Sequence, residues 1–535
     1  MMRSGIKLMF NQPPPFEDIN LFSSDAALQE AVRREGGDAH ALERFGATAG
    51  SRHMLEQARL ANENPPQLRL FDARGCRLDR VEYHPAYHEL MAASTGQGLH
   101  CERGVERAAA FYMAAQMEAG HCCPITMTKA SVPVVRQNPA IAEAWLGRIL
   151  VRDYDPAFRP AAEKRAVTIG MAMTERQGGS DVRANLTEAE PAGNGEYLVT
   201  GHKWFMSAPM SDAFLVLAQA PGGLSCFFMP RFLPDGSVNA ILLQRLKDKC
   251  GNRSNASSEV EFARAHAWLV GEEGRGVATI MEMVTLTRID CAISSAGLMR
   301  LGLAQALHHC SHRIAFQKKL IDQPLMRQVL ADMTLDQEAA VALVFRLVRA
   351  FERSGEDEAE AAFARIMTPA VKYWVCKALP GFAYEAMECL GGNGYVEESP
   401  MARLFRESPL NAIWEGSGNI MCLDVLRAAA KSPDAFATLL DQLQGAGHDE
   451  PLITAAAARL RDRLAKPSGL EADLRHVVES LVYTVAASLL RASGPTAIAD
   501  AFIASRLDGG FRRTYGIIPG ADIDAILARA LPMQS

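Results

Sequence analysis

The chain has 535 residues, which at ~150 residues per domain sets an expectation of three or four domains. Hydrophobic residues make up 48% and charged residues 22%, which excludes a disordered chain, a collagen and a disulfide mini-scaffold. A formal net charge of −6 disfavours a protein coated in basic residues for nucleic acid and leaves room only for a local basic patch. Eleven cysteines are scattered with no C-x-x-C, and Cys122-Cys123 is too cramped for ordinary metal-ligand spacing; they read as thiols in a reducing compartment. Met1 to Pro15 holds no apolar signal region, and no apolar run approaches ~18 residues, so a cytoplasmic protein that does not span a membrane is expected.

In chain order, Asn11-Gln12-Pro13-Pro14-Pro15 excludes a helix interior. Ser24-Asp25 can cap a helix whose Ala27, Leu28, Ala31 and Val32 share a face. Asn62 to Arg80 breaks the pattern, with a turn at Asp72-Ala73-Arg74-Gly75, and His84 to about Leu150 reads as mostly helical. From Ala166 to about Gly276 the runs are short and β-rich. Asn194-Gly195 before Tyr197-Leu198-Val199-Thr200 signals a hairpin, and 214–217, 226–229 and 260–262 read as further strands. No helical segment separates them, so an antiparallel sheet is expected. The helical period returns after Gly276, with boundaries at Ser354-Gly355-Glu356-Asp357, Lys431-Ser432-Pro433, Pro467-Ser468-Gly469 and Gly509-Gly510. No internal repeat is present. The expected division is 1–165 (N-terminal segment and helical domain), 166–275 (β domain), 276–430 (second helical domain) and 431–535 (C-terminal helical extension).

There is no dinucleotide G-x-G-x-x-G after a strand, no P-loop, no G-x-S-x-G and no H-E-x-x-H. His84/His88 and His308/His312 have metal-compatible spacing but read better as solvated or core histidines, and no metal is expected. Four segments carry candidate chemistry. Met173-Thr174-Glu175 through Gly178-Gly179-Ser180-Asp181 offers hydroxyls and a backbone that a ligand can approach; taken alone it is equally a polar loop. Trp204-Phe205-Met206-Ser207 offers aromatics and a hydroxyl at a strand end, or simply core residues. Gly391-Gly392-Asn393-Gly394-Tyr395 is a glycine cluster or a helix C-cap. Trp414-Glu415-Gly416-Ser417 places a carboxylate beside an aromatic in apolar sequence, where desolvation would raise its pKa toward that of a general base; the alternative is a helix-terminal Glu in water.

Read jointly, these segments resemble the acyl-CoA dehydrogenase family of flavoproteins. Met173-Thr174-Glu175 with Gly179-Ser180-Asp181 is similar to one family signature, and Glu388 through Glu407, with Gly391-Gly392, Tyr395, Glu398 and Arg403, to a second. Arg313-x-x-Phe316 and Trp414-Glu415-Gly416-Ser417 add two more matches. Asn20-Leu21, Arg34-Glu35-Gly36, Ala61 to Pro66, His84-Pro85-Ala86, Lys247-Asp248-Lys249 and Gly418-Asn419-Ile420 resemble the narrower AidB type, a branch tied to the adaptive response to DNA alkylation. The resemblance implies a mostly α fold with a central antiparallel β-barrel or sandwich between a helical domain and a four-helix bundle, plus an extra C-terminal helical domain.

It also implies FAD, with Met173, Thr174, Gly179, Ser180, Phe205, Met206, Ser207, Gly391, Gly392, Trp414, Gly416, Ser417 and Asn419 around it. Arg313 and Phe316 would reach the cofactor of a neighbouring subunit in a homotetramer. A family glutamine aligns with Pro324, so that contact is in doubt. The implied reaction is α,β-dehydrogenation of an acyl-CoA thioester, with Glu415 as base and with the enolate oxygen held by the backbone N–H of Glu415. The alternatives are an acyl-CoA oxidase, or a DNA-associated protective stress protein whose flavin is mainly structural or scavenging. Double-stranded DNA would be met through the C-terminal domain, with Arg427, Arg506, Arg512 and Arg513 as candidate phosphate contacts; Arg459, Arg461 and Arg463 form a second possible patch. Residues 431–535 contain 11 Lys and Arg against 12 Asp and Glu, so this domain is charge-balanced.

Overall fold

The computed structural model describes residues 11–446, 450–466, 468–508 and 520–531. Helices α1 (Ala26–Arg34), α2 (His40–Ala49) and α3 (Arg52–Glu63) lead into strands β1 (Gln67–Phe71) and β2 (Arg77–Glu82). Four helices follow: α4 (Pro85–Gly96), α5 (Gly104–Met117), α6 (Cys122–Val135) and α7 (Pro139–Ile149). The β region comprises β3 (Ile169–Ala172), β4 (Glu188–Gly193), β5 (Glu196–Ser207), β6 (Ala213–Ala220), β7 (Gly223–Pro230), β8 (Ile241–Leu246) and β9 (Ser257–Val270). Then come α8 (Gly276–His312), the short hairpin β10 (Ile314–Ala315) and β11 (Lys318–Lys319), α9 (Pro324–Arg353), α10 (Glu358–Cys389), α11 (Gly392–Tyr395) and α12 (Pro400–Glu407). The chain finishes with α13 (Gly418–Lys431), α14 (Pro433–Ala446), α15 (Pro451–Leu464), α16 (Leu470–Ser493), α17 (Thr496–Arg506) and α18 (Ile523–Ala530). No helix among the described residues is long and apolar enough to cross a membrane.

The chain packs into two compact units interleaved in sequence: the described parts of Met1–Arg52, Gly104–Gln116 and Cys291–Ser535, and a second unit of His53–Arg103 and Met117–Asp290. The second unit holds the sheet. Its strands run β3-β6-β4-β5-β9-β7, with β8 on β9, and β7 also pairs with β6, so the sheet closes on itself. Asn194 (φ 53°) and Gly195 (φ 76°) turn β4 into β5, as the Asn-Gly signal predicts. Alternate residues Phe214 and Val216, Phe227 and Met229, and Val260 and Phe262 fill the interior.

Two features depart from the sequence reading. The sheet is not wholly antiparallel: β3 runs parallel to β6, Ile169 opposite Ala213 through Ala172 opposite Val216. The β4–β5 hairpin intervenes between them, so β6 returns in the direction of β3. Residues 62–80, read as a break, contain an antiparallel hairpin, β1 with β2. Its turn was legible: Asp72 Oδ1 accepts from the backbone N–H groups of Arg74 and Cys76, both at 2.8 Å. Its strands carry only the short alternation Leu68, Leu70.

The metal-spaced histidines serve as structural polar groups. His84 caps α4 by accepting from Ala86 N–H at 3.2 Å, and His88 hydrogen-bonds Tyr154 Oη at 2.9 Å. His308 bonds the Pro14 carbonyl at 2.8 Å, and His312 the His308 carbonyl at 2.8 Å. Among the described residues no group of three or more His, Cys, Asp or Glu gathers as a metal site.

In the helical unit, Asp25 caps α1, accepting from Leu28 N–H at 3.1 Å, as the sequence predicts. The same carboxylate accepts from Tyr112 Oη at 2.9 Å and faces Arg300 at 3.4 Å, so a local cap is also a long-range tie.

The other unit has its own buried polar hub. Glu118 accepts from Ser254 Oγ (2.9 Å), Asn62 Nδ2 (3.0 Å) and the Gly120 and His121 backbone N–H groups (2.9 and 2.8 Å), and pairs with His121 Nδ1 (3.0 Å). Burial alone would raise the Glu118 pKa; the bonds from His121 and Asn62 outweigh it and hold it at about 2, against an ordinary 4.5. A carboxyl lowered in this way adds stability above its unfolded pKa and loses it as pH falls toward the folded value. Glu118→Gln is expected to cost a few kcal/mol at pH 7. Its difference from wild type should shrink as pH drops below about 4.5, as read by urea unfolding at a series of pH values. A pH-independent difference would show that the hub does not act through this charge.

Candidate active site

One set of candidate residues lies in the sheet-bearing unit. The loop after β3 is tied at three successive residues: the Met173 carbonyl accepts from Asn185 Nδ2 (2.9 Å), the Thr174 carbonyl from Trp204 N–H (2.8 Å), and the Glu175 carboxylate from Lys203 Nζ (2.7 Å). Glu175 and Lys203 are both fully buried, and Lys203 also donates to the Leu217 carbonyl at 2.7 Å. Burial pulls the Lys203 pKa down to about 8 against the upward pull of Glu175. Burial raises that of Glu175, but Lys203 outweighs it and the net shift is downward. Gly179 closes the loop over Thr174: a Cβ there would lie 2.5 Å from Thr174 Oγ1. Ser180 is exposed beside it.

The same ties shape the end of β5. Its register with β9 shifts between Lys203 and Met206, so Lys203 and Met206 both point inward, three residues apart. The two aromatics between them escape the interior. Phe205 is 49% exposed, and Trp204 is half-buried with Lys247 Nζ 3.5 Å from its ring centroid. Ser207 Oγ is half-buried, 3.2 Å from Ser257 Oγ. Met206 corrects the sequence reading: its side chain is fully buried in the barrel core, so it cannot flank a ring, and its carbonyl already accepts from Ser258 Oγ at 3.1 Å.

The other candidates lie in the helical unit. Arg313 leaves α8 and donates to the Asn11 carbonyl at 2.8 Å; Phe316, at the tip of the β10–β11 hairpin, is 93% exposed. Pro324, where the family glutamine was expected, is the first residue of α9, and Gln323 stands just before it as N-cap. Gly391 (φ 60°) and Gly392 are exposed between α10 and α11, with open space where side chains would stand.

The Trp414–Ser417 loop is the most constrained of these segments. Trp414 is half-buried, and its indole N–H donates to Asn411 Oδ1 at 2.8 Å. Asn411 Nδ2 donates to Ser295 Oγ at 3.0 Å. Glu415 is half-buried in a left-handed backbone (φ 57°), followed by Gly416 (φ 103°). Lys372, on α10 and 1% exposed, donates to the carbonyls on either side of Glu415: Trp414 at 2.8 Å and Gly416 at 2.5 Å. Ser417 is the N-cap residue of α13, and Asn419 Oδ1 accepts from Arg475 Nε of α16 at 2.8 Å. Lys203 and Asn411 stand beside the candidate motifs in the sequence with no role read for them, and Lys372 and Arg475 were not singled out. A lysine inside an apolar helical run was the available signal for Lys372.

Comparison with known proteins identifies the family. Three family models match in order: Adaptive response protein AidB N-terminal domain over 11–156, Acyl-CoA dehydrogenase, middle domain over 170–265, and Acyl-CoA dehydrogenase, C-terminal domain over 274–430. The chain therefore belongs to the acyl-CoA dehydrogenase family, in its AidB branch. It is 50% identical to Escherichia coli (strain K12) AidB over 86% of this chain and 87% of that one. A solved structure of Caenorhabditis elegans ACDH-11 in complex with C11-CoA superposes with a TM-score of 0.84 at 26% identity, covering 98% of this chain and 94% of that one. A Bacillus anthracis acyl-CoA dehydrogenase complexed with FAD shares the fold, with a TM-score of 0.66 at 18% identity over 83% of each chain.

Residues beyond 430 follow the last family match, and their arginines are largely committed internally. Arg506 corrects the sequence reading. It is 9% exposed and clamped by Asp332 (2.7 Å) and Asp336 (2.9 Å) of α9, so its charge faces its own fold and not a phosphate. Burial alone would lower its pKa; the two aspartates outweigh that and raise it. Arg461 pairs with Asp441 at 2.5 Å, Arg463 with Asp473 at 2.7 Å, and Arg459 donates to the Leu507 carbonyl at 3.2 Å. Arg427 is 68% exposed, beside Asp424 at 2.7 Å. Arg512 and Arg513 lie outside the described residues. Arg506→Met leaves two buried carboxylates without their cation. It is expected to destabilise the helical unit by roughly 3–5 kcal/mol, visible as faster limited proteolysis within 496–531. Unchanged proteolysis would show that the clamp contributes nothing to holding α17.

Proposed function

We propose that the chain is an FAD-dependent acyl-CoA dehydrogenase-type oxidoreductase with Glu415 as its general base. The observation that carries this is the Glu415 loop: a carboxylate held between two anchored carbonyls, in a left-handed turn that only a shaped loop maintains. It lies inside the match to the acyl-CoA dehydrogenase C-terminal domain.

The donor set fits the cofactor. Thr174, Ser180 and Ser207 supply hydroxyls for the polar ring edge and the phosphorylated tail, the Gly179 cradle admits a close approach, and outward-facing Phe205 supplies an apolar plane. Met206 contributes backbone only. Trp414, Gly416, Ser417 and Asn419 line the segment that carries the base; with Asn419 Oδ1 engaged by Arg475, its amide N–H group is what remains for the cofactor. Gly391 and Gly392 are assigned to the cofactor, and Arg313 and Phe316 to a cofactor held by a neighbouring copy in a homotetramer.

In the reaction, Glu415 Oε removes the α-proton of the acyl thioester, and the Glu415 backbone N–H donates to the thioester oxygen as negative charge develops there. FAD, when bound, supplies the acceptor for the hydride that leaves the β-carbon. The domain division at 165, 275 and 430, a cytoplasmic location and a role in the response to DNA alkylation belong to the same proposal. The match to the AidB N-terminal model supports the last of these. Of the four arginines assigned to DNA, Arg427 is the one that is both described and exposed. Duplex binding would therefore use Arg427, at the end of the second helical domain, with Arg512 and Arg513 of the C-terminal extension.

The test is anaerobic titration of the flavin-loaded protein with saturated acyl-CoAs from short and branched chains to C12. Bleaching of flavin absorbance supports the proposal; no response at any chain length would overturn it and shift weight to a protective role, and rapid peroxide formation in air would indicate an oxidase. Glu415→Gln is expected to retain flavin and to slow bleaching by about 10²–10⁴-fold. A variant bleached at the wild-type rate would remove Glu415 from the base role.

A further inference from the structure

We propose that Lys372 is the positioning residue that aims both the Glu415 carboxylate and the Glu415 backbone N–H at the substrate; this rests on the reading of Glu415 as the base. Lys372 lies on α10, 1% exposed, and its Nζ reaches the Trp414 carbonyl at 2.8 Å and the Gly416 carbonyl at 2.5 Å. These carbonyls flank Glu415. A trans peptide is planar, with its N–H antiparallel to its C=O. Fixing the Trp414 carbonyl toward Lys372 therefore fixes the Glu415 N–H in the opposite direction, away from α10. Fixing the Gly416 carbonyl orients the Ser417 N–H in the same way. One ammonium sets the direction of the amide that meets the thioester oxygen and the turn from which the Glu415 side chain springs.

The position needs such an anchor. A left-handed backbone costs a non-glycine residue on the order of 1–3 kcal/mol and persists only when its surroundings over-determine it. Glu415 is at φ 57° with Gly416 at 103°. The second tie is Asn411, which accepts from the Trp414 indole and donates to Ser295, so the residue before the base is held at its side chain and at its carbonyl. A lysine suits the role better than a neutral amide, because its three N–H donors reach two carbonyls from one atom.

The experiment compares the flavin-loaded wild type, Lys372→Met, which keeps the length and removes the donors, and Lys372→Gln, which keeps a donor group on a shorter arm. Three measurements are made: amide hydrogen exchange over 411–420 against α9 as reference, deuterium uptake from D2O at the α-carbon of an acyl-CoA that bleaches the wild-type flavin, and KM against kcat. Lys372→Met is expected to lose exchange protection at 411–420 but not in α9. It should slow α-carbon exchange and kcat about 10²-fold, with KM within about threefold and bound flavin unchanged; Lys372→Gln should recover part of the rate. Wild-type protection and wild-type α-carbon exchange in Lys372→Met would overturn the proposal, as would an equal loss of protection across α9. Should Lys372→Met fail to fold, Lys372→Gln carries the same comparison. If no acyl-CoA is exchanged or oxidised by the wild type, the reading of Glu415 as base fails, and the loop protection alone then decides whether Lys372 positions it.

Discussion

The candidate catalytic residue sits in a backbone conformation that its own side chain disfavours, and buried side chains from neighbouring segments tie the loop that holds it. Glu415 at φ 57° cannot be maintained by local propensity. The hold comes from Lys372, fourteen residues into α10, and from Asn411, bridged to Ser295 of α8. Both are buried, so their hydrogen bonds are made away from competing water and would be expensive to leave unmade. The loop then hands its direction to α13, which starts at Gly418 directly after the Ser417 cap.

The sheet-bearing unit solves an analogous problem with the same kind of group. Lys203 joins the loop after β3 to the interior of the barrel through Glu175 and the Leu217 carbonyl. A fully buried ion pair is weak evidence for stability, since its desolvation offsets much of its attraction. Its value here is geometric. It sets which residue of the 203–206 bulge turns inward, and so frees two adjacent aromatics to turn outward beside Thr174 and Gly179. In each unit a buried lysine specifies a loop, and the loop carries candidate site residues.

Among the described residues, several arginines of the C-terminal extension pair within the helical unit. Arg506 locks α17 to α9, Arg529 of α18 binds Glu338 of α9 and Glu30 of α1, and Arg475 of α16 reaches Asn419 at the start of α13. The extension is therefore tied to the helix that follows the Glu415 loop, which gives that loop a neighbour that the three family models do not cover. The overall charge of −6 acquires a structural counterpart: among the described residues, the extension's arginines mostly face carboxylates and carbonyls.

What the sequence determined by itself were features set by neighbours along the chain. The Asp25 cap, the Asn194-Gly195 hairpin, the helix boundary at Lys431-Ser432-Pro433, the alternation that buries Phe214 and Val216, and the ordered motifs that mark the acyl-CoA dehydrogenase family all rest on local spacing, and all were legible. The β1–β2 hairpin was missed because two short strands rich in charged residues carry little apolar alternation, although its Asp72 turn was visible. Tertiary structure alone decided the rest. That β3 lies parallel to β6, that a bulge sends Met206 inward and Phe205 outward, that Arg506 is clamped by aspartates 170 and 174 residues away, and that Lys372 meets the carbonyls of residues 414 and 416 are facts of long-range pairing. A residue's chemistry is written in its type, but its partner is chosen by packing between segments far apart in sequence, and no local pattern encodes that choice.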